Sequence, residues 1–178
     1  QLPNIIGEKP NGERWIGIAP FAAHNGKMYP KEKMEEVVKV LSTKYPNLRI
    51  FFFGGGKEEK QILNTWATKY KGCICASEVL HGLNEELILI SHLDAMISMD
   101  SANMHLASLV GTRVVSVWGA THPYCGFLGW NQKEEDVVQN TELECRPCSV
   151  FGNKPCHRGD FECMNSISPN AIIERLNL

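Results

Sequence analysis

The sequence lacks any hydrophobic run long enough to cross a membrane. Its longest apolar runs reach about six to eight residues, whereas a membrane-spanning helix needs ~20. The N-terminus also lacks the basic stretch and apolar stretch of a secretory signal. An excess of one charge is missing too, because 18 basic and 20 acidic residues give a formal net charge of −2. This balance argues against a general basic surface for nucleic acid.

Cysteine is present in an odd number, seven residues. Together with the missing signal, this argues against a disulfide framework and favours a reducing compartment. Cys73 and Cys75 lie in a short apolar stretch and are predicted to be buried thiols, whereas Cys125 is predicted to lie in a loop. The other four fall in an irregular region, 119–169, that is rich in Cys, Pro and Gly and differs from routine α/β packing.

Short apolar runs alternate with amphipathic segments along the chain. The runs are too continuously apolar to have a wet side, which is typical of a parallel sheet covered by helices on both faces. We therefore predict an α/β, Rossmann-like three-layer domain with a mostly parallel sheet. The predicted strands are 15–19, 48–53, 73–75, 95–98, 113–118 and 136–139. The predicted helices are one opened by Pro30, one that contains 62–66, and 83–91, 101–110 and 171–176.

The length of 178 residues fits one ordinary domain with its own core. Within a single domain over 1–178 we expect a Rossmann-like core at 13–140. A Cys-rich loop is expected at 141–168 and a C-terminal helix at 169–178.

The residues that follow each strand are the candidates for a site, because open α/β sheets bind ligands outside the carboxyl ends of their strands. Lys27 follows the first strand and could contact a diphosphate, or it is a solvated loop lysine. Glu58 follows three glycines and could bind ribose hydroxyls, or it merely complements a helix dipole. The glycines lack the G-x-G-x-x-G spacing, which disfavours a nicotinamide enzyme.

The segment after the fourth strand combines a carboxylate with a helix start. Ser101 and Ala102 would expose backbone N–H groups that attract phosphate, while Asp100 could accept hydrogen bonds from sugar hydroxyls. The alternative is an ordinary helix start that Ser101 caps. His105, one turn later, is either a half-buried packing residue or part of the site.

Four segments together resemble glycosyltransferase family nine, the ADP-heptose:lipopolysaccharide heptosyltransferases. They are Gly26–Pro30, Phe53–Glu58, Met99–Ala107 and Val117–Pro123. The third follows the family's Asp-(Ser/Thr)-Gly-x-x-His-x-Ala motif, except that Ala102 stands where the family usually has Gly. Order and spacing match the family's C-terminal domain across nearly the whole chain. The resemblance implies the C-terminal, donor-binding half of a GT-B fold.

The resemblance also implies a role for each matching residue. Lys27 would contact the donor diphosphate and Glu58 the ribose, while Asp100 would bind the transferred sugar. The remaining donor-binding positions are Ser101 and Ala102 through their N–H groups, His105 as support for that loop, and Gly119 and Thr121. The methyl group of Ala102 could narrow the approach to phosphate or alter which sugar fits.

Such enzymes invert the anomeric carbon in one displacement, with a general base on the acceptor hydroxyl. In the family that base is an aspartate of the N-terminal domain, and no segment here matches that domain. We therefore expect this chain to bind an ADP-heptose-like donor without transferring the sugar. The lipopolysaccharide core acceptor would be bound through the missing domain, and no cofactor would be required. The resemblance implies a cytoplasmic location, with at most peripheral contact at the cytoplasmic face of the inner membrane.

The four clustered cysteines, Cys145, Cys148, Cys156 and Cys163, contain one C-x-x-C pair. Four thiolates could bind Zn²⁺ tetrahedrally, and His157 could replace one ligand. One or two disulfides, or free thiols, are equally open. Similar Cys-rich tails in several family members do not decide between these states.

Two other function classes stay open. The first is a GT-B transferase or epimerase that uses a UDP- or GDP-linked sugar. The second is a non-catalytic nucleotide-sugar-binding module that keeps only the fold.

Overall fold

One six-stranded sheet organises the molecule, and the computed structural model describes residues 1–178. Its strands are β1 (Arg14–Ala19), β2 (Leu48–Phe52), β3 (Cys73–Cys75), β4 (Ala95–Met99), β5 (Val114–Trp118) and β6 (Val137–Gln139). They lie in the order β3-β2-β1-β4-β5-β6, and every neighbouring pair is parallel. The predicted α/β sheet is therefore confirmed, and it is wholly rather than mostly parallel.

Seven helices cover the sheet: α1 (Lys31–Lys44), α2 (Lys57–Lys69), α3 (Ala76–Val79), α4 (Leu83–Ser91), α5 (Ala102–Leu109), α6 (Glu162–Asn165) and α7 (Pro169–Arg175). Alternate residues of β1 enter two separate cores. Ile16 and Ile18 pack with α1, α2 and α7, whereas Trp15 and Ala19 pack with α3, α4 and α5. Both faces of the sheet are thus buried, which explains why its strands are apolar runs without alternation. None of the helices has both the length and the apolar character needed to cross a bilayer.

Two predicted strands begin one residue too early. Arg113 and Asp136 lie just before β5 and β6, where their side chains form an ion pair of 2.7 Å. Arg113 also donates to backbone carbonyls at the end of α7. These contacts tie the amino ends of the strands to the last helix. Arg113 and Asp136 therefore lie just outside the amino ends of the strands instead of extending them.

The helices α3 and α6 were not predicted, because each holds only four residues and hence about one turn. The last helix begins at Pro169 instead of 171, with Ser168 as its N-cap. Between β6 and α7 the chain is irregular apart from α6. The proposed division at 140/141 and 168/169 stays a prediction.

Candidate functional site

The sheet reverses its strand order between β1 and β4. Along the chain, β2 and β3 are added on one side of β1, and β4 then pairs with the other side of β1. Such a switch point leaves a crevice at the carboxyl ends of the two central strands. Lys27 follows β1 and Asp100 follows β4, so the topology puts the two candidates on opposite sides of this crevice.

Lys27 and Asp100 meet across the crevice. The Lys27 ammonium lies 3.1 Å from Asp100 Oδ2, and the side chains are only 14% and 4% exposed. Thr121, which is fully buried, donates to the same oxygen at 3.1 Å. Both contacts use Oδ2, so Oδ1 can accept a hydrogen bond from a ligand. An ammonium has three N–H donors, so Lys27 also keeps donors for an anion.

The first turn of α5 is open beside this pair. Ser101 is the N-cap, but its side chain does not accept from the helix backbone and instead contacts Ser98 Oγ at 3.3 Å. The alternative of a helix start capped by the Ser101 hydroxyl is therefore wrong. The N–H groups of the first turn keep their positive partial charge for an external anion.

Ala102 and His105 are both exposed on the first turn of α5. The half-buried packing role for His105 is therefore wrong, since its ring is not part of the core beneath the helix. The methyl group of Ala102 is likewise at the surface. Their roles toward a donor stay predictions.

A cavity of about 540 Å³ adjoins the Lys27 loop. Asn25 and Met28, which flank Lys27, line one side of it, and Glu58 lines another. Glu58 is exposed in the first turn of α2. The neighbouring Glu59 instead accepts from the N–H groups of Gly55 and Gly56, at 2.8 and 3.4 Å. Capping thus falls to Glu59, which leaves the Glu58 carboxylate available to a ligand.

Gly119 and Thr121 lie in the loop after β5, which contacts the loop that carries Lys27. A Cβ on Gly119 would lie 2.6 Å from Met164 Cγ and 2.9 Å from the Gly26 carbonyl oxygen, so only glycine lets these segments touch. Ala120 N–H donates to that same Gly26 oxygen at 2.9 Å. The loop after β5 therefore holds the Lys27 loop in place.

The four clustered cysteines surround one small cavity of about 10 Å³, and no disulfide joins them. As the side chains stand, no three His, Cys, Asp or Glu groups are close enough to hold a metal ion. Cations line the same cavity, namely Arg146, Lys154 and Arg158, together with His157. Cys73 and Cys75 are buried free thiols, as predicted, and lie in the edge strand β3.

The thiols of this cluster differ in acidity. Backbone N–H groups, first that of Phe161, donate to the Cys156 sulfur and lower its pKa. Burial raises the pKa of Cys148 and of Cys163. Of these three thiols, Cys156 is the one whose pKa is lowered.

Sequence reasoning missed three residues that join the Cys-rich segment to the crevice. Arg146 donates to the carbonyl oxygens of Gly119 and Thr121. Gly152 lies against Lys27, because a Cβ there would come within 2.8 Å of Lys27 Cγ. Phe161 lines both the sulfur cavity and the large cavity. The arginine between two cysteines was the available signal, but its partners lie 25 and 27 positions away.

The sequence matches the family described as "Glycosyltransferase family 9 (heptosyltransferase)" over residues 6–155. Lipooligosaccharide heptosyltransferase 2 of Campylobacter jejuni is 27% identical over 93% of this chain and 50% of that protein. Lipopolysaccharide heptosyltransferase 1 of Campylobacter coli is 25% identical over 98% of this chain and 50% of that protein. The chain spans about half the length of the curated relatives it matches.

Solved structures share the fold. ADP-heptose LPS heptosyltransferase II of E. coli has a TM-score of 0.71 at 20% identity, over 98% of this chain and 48% of that one. A family 9 glycosyltransferase of Veillonella parvula has a TM-score of 0.72 at 16% identity, over 98% and 47%. The dodecameric E. coli glycosyltransferase TibC, described as iron-containing, has 0.65 at 18%, over 96% and 45%. TibC has also been solved in complex with ADP-D-β-D-heptose.

Proposed function

Since the chain belongs to glycosyltransferase family 9, the heptosyltransferases, we propose that its crevice binds an ADP-linked heptose or a related sugar. The whole protein would transfer that sugar to the inner core of lipopolysaccharide. The observation that carries the proposal is the meeting of Lys27 and Asp100 across the switch point, beside the uncapped start of α5.

The diphosphate would lie between the Lys27 ammonium and the first turn of α5. Negative charge builds on the diphosphate as the bond to the sugar breaks. Lys27 and the helix N–H groups would face that position, so they would stabilise the departing group without reorganisation. Asp100, held by Thr121, keeps one carboxylate oxygen for a hydroxyl of the transferred sugar.

The nucleoside would occupy the cavity of about 540 Å³, which exceeds the lower size limit of typical ligand pockets. Glu58 would accept hydrogen bonds from the ribose hydroxyls there. Phe21, Ile62 and Met164 supply apolar lining against which a base can pack. His105, Ser101 and Ala102 would border the sugar and phosphate end.

The acceptor and the base that deprotonates its hydroxyl are proposed to be bound outside this chain. A direct displacement needs a carboxylate or imidazole within hydrogen-bond reach of the attacking hydroxyl. Asp100 is already engaged with Lys27 and Thr121 and is assigned to the donor sugar. Because lipopolysaccharide precursors are membrane lipids, the whole protein would work in peripheral contact with the cytoplasmic face of the inner membrane.

The donor site can be tested by calorimetric titration of the chain with ADP, UDP and GDP. We expect ADP to bind most tightly. Lys27→Ala and Glu58→Ala should each weaken ADP by about ten-fold or more, because each removes a charge-assisted hydrogen bond. Lys133→Ala and Glu85→Ala are matched controls, since these residues lie in another loop and in the first turn of α4.

Two results would contradict the proposal. Tighter binding of UDP or GDP than of ADP would favour the alternative donor class. The similarity of this chain to heptosyltransferases does not favour that class. Unchanged ADP affinity in both Lys27→Ala and Glu58→Ala would favour a module that binds nucleotide by another surface.

We further propose that Cys145, Cys148, Cys156 and Cys163 together hold one metal ion. The proposal is supported by the four sulfurs that line one small cavity, although no three ligand groups are close enough to hold an ion as the side chains stand. Thiolates suit zinc and iron alike, and the ion would cross-link the irregular segment as a structural site. Loading would require the thiol side chains to turn into the cavity that they share.

Metal analysis of the purified chain tests this site. We expect close to one equivalent of bound metal, lost on Cys145→Ser/Cys148→Ser but kept on Cys125→Ser. Less than about 0.2 equivalents after purification would exclude a tight structural site.

A further inference from the structure

Two phenylalanines border the Lys27–Asp100 pair at the edge of the crevice. Lys27 Nζ lies over the Phe127 ring, 5.5 Å from its centroid. The rings of Phe127 and Phe151 contact each other, with centroids 5.8 Å apart and planes inclined by 56°. Phe127 lies between β5 and β6, whereas Phe151 lies between β6 and α6. Two separate parts of the chain therefore bring aromatic rings together beside Lys27.

The turn that carries Phe151 is held in place although Phe151 itself is 57% exposed. Gly152 N–H donates to Ser149 Oγ at 2.6 Å, and Ser149 is buried. Gly152 also packs against the stem of Lys27, where an added Cβ would lie 2.8 Å from Lys27 Cγ. Hydrogen bonding and packing thus fix a turn that presents an aromatic ring to solvent.

The proposed sugar-binding carboxylate is one contact away from this turn. Asp100 Oδ2 accepts from Thr121 and pairs with Lys27, at 3.1 Å in each case. Both partners also contact Gly152, since a Cβ there would meet the Lys27 stem and lie 3.3 Å from Thr121 Cγ2. A sugar that donates to Asp100 Oδ1 would therefore lie beside the two phenylalanines.

A sugar ring carries hydroxyls around its rim and C–H groups on its faces. Asp100 and Lys27 can bind the rim, but neither offers a surface to the faces. The C–H groups have a small positive partial charge, which the negative face of an aromatic ring attracts. We propose that Phe151, braced by Phe127, packs against the C–H face of the transferred sugar. The inference rests on the proposed donor site and adds an apolar wall to its sugar end.

The test compares the dissociation constants of ADP and ADP-heptose for the same chain by calorimetry. The constant for ADP divided by that for ADP-heptose isolates the sugar, because a change in nucleoside or diphosphate binding affects both ligands. We expect Phe151→Leu and Phe127→Leu each to lower this ratio by about two- to ten-fold, the range for one aromatic contact. Phe151→Tyr keeps the ring and should keep the ratio.

Trp130→Leu is the matched control. Trp130 is 79% exposed and lies between β5 and β6 like Phe127. It lines a different cavity, together with Arg113 and Asp136 at the amino ends of those strands. The loss of this exposed ring should leave the ratio unchanged.

Proton NMR of bound ADP-heptose provides a readout that a merely structural role would not move. Protons that lie over the face of an aromatic ring shift upfield. We expect the C–H protons of the sugar to shift upfield on binding to the wild-type chain and to Phe151→Tyr. The shift should be much smaller on binding to Phe151→Leu.

The inference fails if both Leu variants keep the wild-type ratio, or if the sugar protons show no upfield shift on the wild-type chain. Phe127 and Phe151 would then only pack two loops together. Failure of the proposed donor site has a different result, since neither ADP nor ADP-heptose would bind the wild-type chain and both proposals would fall.

Discussion

Thr121 is buried, and its hydroxyl holds the carboxylate of Asp100, the residue proposed to bind the donor sugar. Replacing Thr121 with Val keeps the volume and removes the hydrogen bond to Asp100 Oδ2. We expect Thr121→Val to lower the free energy of unfolding by about 1 kcal/mol and to weaken ADP-sugar binding, because Asp100 loses one of its two contacts. Urea denaturation and calorimetry with the ADP-sugar measure the two effects.

Thr112→Val is the matched control for Thr121→Val. Thr112 is also buried and donates to a backbone carbonyl at 2.6 Å, but it lies between α5 and β5, before the amino end of β5 and away from the crevice. It should show a similar loss of stability with unchanged ADP-sugar affinity. Equal affinity losses in both variants would show that Thr121 has no specific role.

Gly152 is the glycine through which the Cys-rich segment contacts Lys27. It has a φ of +71°, and a Cβ there would press on the Lys27 side chain. Gly152→Ala should cost about 1–2 kcal/mol of stability for the left-handed backbone and should also displace Lys27, which weakens ADP binding several-fold. Denaturation and calorimetry again separate the two.

Gly111→Ala shares the backbone strain without the contact. Its φ is +78° and nothing lies within 4 Å of an added Cβ. We expect the same stability loss and no change in ADP affinity. A Gly152→Ala chain that binds ADP like Gly111→Ala would refute the contact between this segment and the donor site.

At the scale of elements, the start of α5 lacks the stabilising side-chain cap, which leaves its N–H groups available to an anion. Ser101→Asp should cap the helix and raise its stability by about 1 kcal/mol, while its carboxylate repels phosphate and weakens ADP by about ten-fold. Thermal unfolding and calorimetry measure both. Ser168→Asp at the capped start of α7 is the control and should leave ADP affinity unchanged. Unweakened ADP binding in Ser101→Asp would place the diphosphate elsewhere.

The central strands could be predicted from the sequence because both faces of the sheet are covered, so β1, β2, β4 and β5 consist mainly of buried apolar residues. Lys27, Glu58 and Asp100 could be proposed because parallel strands end at one edge of the sheet. That Glu59 and not Glu58 caps α2 could not be predicted, because both stand in the same first turn. Arg146, Gly152 and Phe161 could not be predicted either, since each acts through contacts distant in sequence.

At the scale of the whole molecule, the chain corresponds to about half of its curated relatives. We expect it to bind ADP-heptose but not to transfer heptose to a lipid A–core acceptor, because the groups that bind the acceptor and deprotonate its hydroxyl are proposed to lie elsewhere. A transfer assay with both substrates measures this. Heptosylated product formed by this chain alone would contradict it.

The central claim is that the crevice between β1 and β4 is a nucleotide-sugar site, and a crystal structure of the chain with ADP tests it most directly. We expect the diphosphate within hydrogen-bond distance of Lys27 Nζ and of the N–H groups that begin α5, with the ribose on Glu58. ADP bound away from Lys27 and Asp100, or bound with its adenosine outside the cavity lined by Glu58, would contradict the claim.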